Sequence, residues 1–245
     1  MRHGQKSKSV RIDGYKIYLG QDHDADVTLA VGALPANAPE AGGADKLRPQ
    51  VIAHGPVEEM HIDRAFLASA WVQELAAARP DAVICRAPGV PTGRTRYGKH
   101  DFAIDLARGE VRCPAGQRVP IAQVGADRRA WFRAAQCRPC PQRAQCQPLT
   151  QSPHRLIQIL PQEALLQRAR QAVKTPAGRA RLRERVVVEH ANAQHARRYD
   201  KQARYCGVAK NDFDAGRIAA ANNLLGMDRK LRARDADAEA IQAAA

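Results

Sequence analysis

Two sets of side chains in this sequence have the types and spacing to do chemistry. The first is built on thiols. Cys137-Arg-Pro-Cys140 is a CxxC knuckle, Cys146 follows it, and Cys113 opens Cys113-Pro-Ala-Gly116. A CxxC holds two sulfurs on one tight turn, and four thiolates satisfy a tetrahedral zinc ion without further ligands. The segment is poor in apolar residues, so a metal would stabilise what a core cannot. The alternative is four unligated cysteines in a loop. Cys85 and Cys206 have no cysteine near them in sequence and read as core thiols.

The second set is a pair of acids. Asp63 closes the apolar-rich segment ending His61-Ile62-Asp63, and Glu189 follows Val186-Val187-Val188 in an arginine-rich stretch. A carboxylate at a strand end and one on a covering helix can converge at a sheet edge. Phosphoryl transfer with two metal ions needs such convergence, because carboxylates bridge ions that stabilise the attacking and leaving oxygens together. Arg185 lies one helical turn before Glu189 and shares its face, where it could orient the acid or grip a DNA phosphate. The plainer readings are a turn-capping Asp and a surface Glu–Arg pair. Spacing alone leaves both open.

The elements that would position these groups follow from periodicity. Ser9 to Leu19 reads as a strand, with Gly14 marking a bulge, and Val27 to Val31 alternates again to complete a hairpin. Asp45 to Ala53 is a weak helix, Val57 to Ile62 a strand, Ser69 to Arg79 a helix and Ala82 to Cys85 a strand. From 86 to 175 Pro and Gly are frequent, and the stretch reads as an insertion with little regular structure before a helix over Gln162 to Ala172. Arg179 to Tyr199 reads as one helix and Phe213 to Leu225 as another, with a fraying tail after them. The implied class is α/β, a mixed sheet with covering helices and a Cys-rich insertion. Its divisions are 1–85, the insertion 86–175, the helices 176–228 and a flexible tail 229–245.

Composition narrows the partner. Lys and Arg number 39 against 25 Asp and Glu, a net charge of +14. More than half of that excess lies between Ala177 and Arg234, where fourteen basic residues face six acidic ones. Such a balance suits a polyanion, nucleic acid above all, although a solvated helix face would look the same. Aromatic residues are only 4%, too few for a base-stacking single-strand binder. No run is long and apolar enough for a membrane span, and no apolar signal segment follows the charged N-terminus. The default is therefore a cytoplasmic protein with reduced thiols.

Taken in order, several stretches resemble the DDE transposases of bacterial insertion sequences, those with a cysteine-bearing insertion before the last catalytic acid. They are Met1-Arg-His-Gly-Gln-Lys-Ser-Lys-Ser, Asp13-Gly-Tyr-Lys16, Leu34-Pro-Ala-Asn37, His61-Ile-Asp-Arg-Ala-Phe-Leu-Ala-Ser69 and Lys99-His-Asp-Phe-Ala-Ile-Asp-Leu106. The cysteine motifs follow, and then Leu182-Arg-Glu-Arg-Val-Val-Val-Glu-His190 and Ala203-Arg-Tyr-Cys-Gly207. The resemblance implies an RNase H-like fold and Mg2+- or Mn2+-dependent DNA cleavage and strand transfer. It would make Asp63 the second catalytic acid and Glu189 the third, supported by Arg185. Water and then a 3′-hydroxyl would attack the phosphodiester. Arg183, Arg197, Arg198, Arg204 and Lys210 would track DNA phosphates at the element's terminal repeats and the target, with homodimerisation and a nucleoid-associated location. The family's first catalytic Asp lies on a strand upstream of the Met1 motif, and no residue here matches it. The expectation is an incomplete RNase H-like sheet and a chain inactive by itself. The competing expectation is a non-catalytic, zinc-stabilised DNA-binding protein.

Overall fold

The computed structural model describes residues 3–5, 11–89, 93, 95–146, 153–199 and 203–244. Ser9 and Val10, where the first expected strand begins, lie outside them. In chain order the elements are β1 (His3–Gln5), β2 (Arg11–Asp13), β3 (Tyr15–Asp22), β4 (Val27–Pro35), α1 (Ala41–Ile52), β5 (Met60–Ile62), α2 (Ala70–Ala78) and β6 (Val83–Cys85). Next come β7 (Ala103–Asp105), β8 (Glu110–Arg112), β9 (Arg118–Val124), β10 (Asp127–Phe132), α3 (Ala134–Cys137), α4 (Arg143–Cys146) and β11 (Arg155–Ile159). The chain ends with α5 (Glu163–Ala172), α6 (Pro176–Glu184), α7 (Val186–Tyr199) and α8 (Val208–Ala244). It divides into two units, one of Met1–Arg86 with Ala172–Ala245, the other of Ala87–Gln171. No described helix is long and apolar enough to cross a membrane.

The first unit is α/β, with helices on both faces of a hairpin. β3 and β4 pair antiparallel, and side chains alternate between the two faces. Tyr18, Ala30 and Leu34 pack with Leu47 and Val51 of α1 and with Phe66. Ile17 and Val31, on the opposite face, pack on Ala215 and Ile218 of α8. Gly43 lets α1 approach, because a Cβ there would meet the Tyr18 ring at 2.3 Å. Asn223 clamps α8 to the hairpin, accepting from Thr28 N–H (2.8 Å) and donating to Thr28 O (2.9 Å). β5 and β6 form a separate parallel pair, Ile62 opposite Cys85. The single mixed sheet expected from sequence is thus three two-stranded ladders among the described residues, β1-β2, β3-β4 and β5-β6. The expected bulge at Gly14 is instead the break between β2 and β3, where φ is +142°; the irregularity falls at Gly20/Gln21.

The second unit corrects the sequence reading. Where little regular structure was expected, an antiparallel sheet runs in the order β11-β10-β9-β8-β7. One face buries Phe102, Val111, Val119, Ala130, Phe132, Ile157 and Ile159 in a continuous core. α5 docks on this unit through buried Glu163, which Lys99 grips and Arg170 approaches to 3.3 Å. Two helix boundaries also differ. The helix expected over 179–199 is broken at Arg185, and the expected tail is helical to Ala244, exposed on all described sides from Met227 onward.

Candidate functional site

The site is built at the end of the parallel pair. β5 runs into Asp63, which caps a short 3-10 turn over Arg64–Ala68 by accepting the Ala65 N–H at 3.0 Å. That turn is anchored from behind. Ser69 caps α2 and donates to Asp45 of α1 at 2.6 Å, and the Trp71 N–H donates to the same oxygen at 3.1 Å. Asp63 is therefore an exposed carboxylate on a fixed corner, with one oxygen engaged by its own turn. The capping role weighed from sequence is real, and it leaves the position open to solvent.

α6 lies along β5 and β6 and brings its residues up in strand order. Near the start of the strands, Arg181 bonds Glu59 and donates to Asp81 O at 3.1 Å. One turn on, Glu184 lies 3.7 Å from His61 Nε2. At the far end Arg185 bears on the Cys85 thiol, which also senses Asp63 and Arg64. Burial pushes that thiol up from its ordinary value; Arg185 pulls it down and Asp63 pushes it further up. The helix breaks at Arg185 and restarts as α7, so Glu189 sits one turn past the break. Its Oε1 is 3.5 Å from Arg185 Nη2, with the Glu189 side chain 67% exposed and Arg185 19%. The Glu–Arg pair weighed from sequence thus forms, and its cation faces the strand end that carries Asp63.

A neighbouring cluster was not anticipated. The Nε2 of His61 is 2.6 Å from Glu59 Oε1, and Glu59, His61 and Glu184 offer ligand atoms all within 4.8 Å of one another. Among the described residues this is the one such trio of His, Cys, Asp or Glu, and neither Asp63 nor Glu189 belongs to it. The His61 ring also stacks on His23 from the β3–β4 turn, centroids 5.9 Å apart. Glu59 is held below the usual carboxylate range: burial opposes this, but bonds from Arg181 and His61 outweigh it. With Arg181 on the same carboxylate, the trio is at least as much an ion-pair lock between α6 and β5 as a cation site.

The expected DNA-contacting residues are all exposed. Arg183 lies on α6, Arg197 and Arg198 on α7, Arg204 in the following turn and Lys210 on α8. Arg204 donates to Arg198 O at 3.4 Å, which joins the turn to the end of α7. In the second unit Cys113, Cys137, Cys140 and Cys146 line one cavity with Phe102, Phe132 and Arg155. All six cysteines are free thiols. Cys85 is a core thiol as expected, whereas Cys206 is exposed.

Residues 112–227 match the family model of a transposase DDE domain. The match takes in the cysteines of the second unit, Arg185, Glu189 and the basic helix surfaces, and stops short of Asp63. No curated protein and no solved structure matches the chain.

Proposed function

We propose that the chain is the catalytic portion of a DDE transposase, with an RNase H-like first unit, and that it acts on the DNA of an insertion sequence. The observation that carries this reading is the convergence of α6 and the parallel pair. Arg185 at the end of α6 and Asp63 both bear on the Cys85 thiol at the end of β6, and Arg185 pairs with Glu189 one turn beyond, which supports the reading. Ligand chemistry commonly gathers at the carboxyl ends of parallel strands. The match over 112–227 and the +14 charge agree with it.

Asp63 and Glu189 offer hard oxygen donors, the kind that Mg2+ or Mn2+ prefers, and both are open to a substrate as large as DNA. When bound, such ions stabilise charge on the attacking and leaving oxygens of a phosphodiester. Arg185 acts as a positioning residue: it holds Glu189 by its side chain and keeps a positive charge where a phosphate would lie. Arg183, Arg197, Arg198, Arg204 and Lys210 bind phosphates without reading sequence. The terminal repeats and target, homodimerisation and a nucleoid-associated cytoplasmic location belong to the same reading. Neither carboxylate belongs to a trio of ligand groups lying within 4.8 Å of one another among the described residues. With two acids of such a centre and no residue matching the family's first catalytic Asp, the chain is expected to bind Mn2+ but not to transfer strands by itself.

Mn2+ binding followed by electron paramagnetic resonance tests the assignment. Wild-type chain should bind Mn2+, and Asp63→Asn or Glu189→Gln should weaken binding at least tenfold. Unchanged affinity in both variants would sink the site. Mg2+-dependent strand transfer by the wild-type chain would overturn its expected inactivity. A second reading, a non-catalytic zinc-stabilised DNA-binding protein, is favoured by the cavity of four cysteines. Under it, DNA affinity survives Asp63→Asn and is indifferent to Mg2+.

A further inference from the structure

We infer that Cys113, Cys137, Cys140 and Cys146 form a tetrathiolate zinc centre that cross-links two connections of the five-stranded sheet, β8–β9 and β10–β11. The inference stands on the second unit alone and holds under either functional reading. The four thiols come from separate places: the turn after β8, the end of α3, the turn beyond it and the end of α4, yet they line one cavity. Each sits on a backbone turn already closed. Gly116 N–H donates to Cys113 O at 2.9 Å, and Gly116 has φ +87°, a conformation that suits glycine. Cys140 N–H donates to Cys137 O at 3.3 Å, and Cys146 N–H to Gln142 O at 3.1 Å.

The surroundings act in both directions: burial pushes the Cys137 and Cys146 thiols above their ordinary value, and Arg155 works against it. Arg155 is fixed by donating to Cys146 O (3.3 Å) and Tyr97 O (3.2 Å), with its guanidinium 5.5 Å from the Phe102 ring centroid. Its cation faces Cys146, and its backbone N–H donates to the Cys137 sulfur. Arg143 also bears on Cys137. An N–H donor and a cation at a sulfur offset part of the cost that burial puts on the metal-binding thiolate. Phe102 and Phe132 make the floor apolar, which limits access of water. Four soft sulfur donors select a tetrahedral zinc or iron–sulfur site and exclude Mg2+. The sulfurs stand wider apart than the ligands of one ion, since the one trio within 4.8 Å lies elsewhere. Zn–S bonds of about 2.3 Å therefore require the four side chains to close inward around the ion. The ion would then tie the ends of β8 and β10 to the approach of β11, where the apolar core gives way to loops.

Elemental analysis of the purified full chain tests this, with about one zinc ion per chain expected. Cys137→Ser and Cys140→Ser should each abolish retention, while Cys85→Ser and Cys206→Ser should keep it. Cobalt substitution should give sulfur-to-metal charge-transfer bands with the intensity of four thiolates. Should the serine variants fail to fold, the wild-type chain still decides. Stripping it with a chelator should open the second unit to proteolysis, and Zn2+ alone should restore protection. A folded chain that takes up neither Zn2+ nor Co2+ would overturn the inference. So would iron with acid-labile sulfide, or zinc retained after all four cysteines are replaced.

Discussion

Arg185 reaches Glu189 at 3.5 Å across the first turn of α7, and the same guanidinium bears on the Cys85 thiol at the end of β6. Cys85 is therefore a built-in reporter of the candidate centre. Its thiol is pushed up by burial, lowered by Arg185 and raised by Asp63. Arg185→Gln should raise its pKa further and Asp63→Asn should lower it. Alkylation rates at Cys85, read by mass spectrometry against pH, check the two opposite shifts. Equal or absent shifts would mean that the two charges do not flank this thiol.

Glu163 is fully buried, and its charge is answered by Lys99 and Arg170. Removing one partner of a buried pair costs about 3–5 kcal/mol. Lys99→Met should fall near the low end, because Arg170 remains. Arg232→Ala, which breaks an exposed pair on α8, should stay within about 0.5 kcal/mol. Guanidinium unfolding of the two variants should separate them clearly.

His195 is buried on α7 and its pKa lies below the ordinary value. Burial disfavours the imidazolium, and the nearby Asp214 carboxylate opposes this only in part. The unfolded chain then takes up this proton at a higher pH than the folded one. The contribution of His195 to stability is present above its unfolded pKa of about 6.5. It is lost as pH falls from there toward the folded value. Urea midpoints of wild type and His195→Gln between pH 7.5 and 5 should converge as the solution is acidified. Parallel profiles would show that His195 does not titrate between the two states in this window.

Binding to duplex DNA should be steeply salt dependent. Removing a single phosphate-binding cation lowers the magnitude of the slope of log K against log salt by about 0.9. Arg197→Ala with Arg198→Ala should reduce it by one to two such steps and weaken all sequences alike. A loss confined to one sequence would point to base recognition instead.

The sequence made the first unit legible because its signals are local. Alternation at Ile17, Tyr18 and Leu19 and at Ala30 and Val31 marks the two faces of the hairpin, and Ser69 is a plain helix cap. The second unit was hidden because its strands are short and its inward residues are spread over five of them. Arg128 and Arg129 on β10 and Pro120 on β9 look unlike strand residues until the pairing is known. The break at Arg185 carries no Pro or Gly signal. The contacts of His61 with Glu184, and of Glu59 with Arg181, join residues more than a hundred positions apart, so no spacing rule reveals them. Asp63 and Glu189 stand out by position in the sequence, but the turn that Asp63 caps and the Arg185 pairing of Glu189 are read from the fold.

The second unit is one unbroken stretch of chain, whereas the first is assembled from Met1–Arg86 and Ala172–Ala245. During translation the five-stranded sheet can close as soon as β11 leaves the ribosome. The face of the β3–β4 hairpin that awaits α8 must stay uncovered until α8 has been made. A nascent polypeptide stalled in that interval would expose Ile17 and Val31, and would depend on chaperones for as long as the delay lasted.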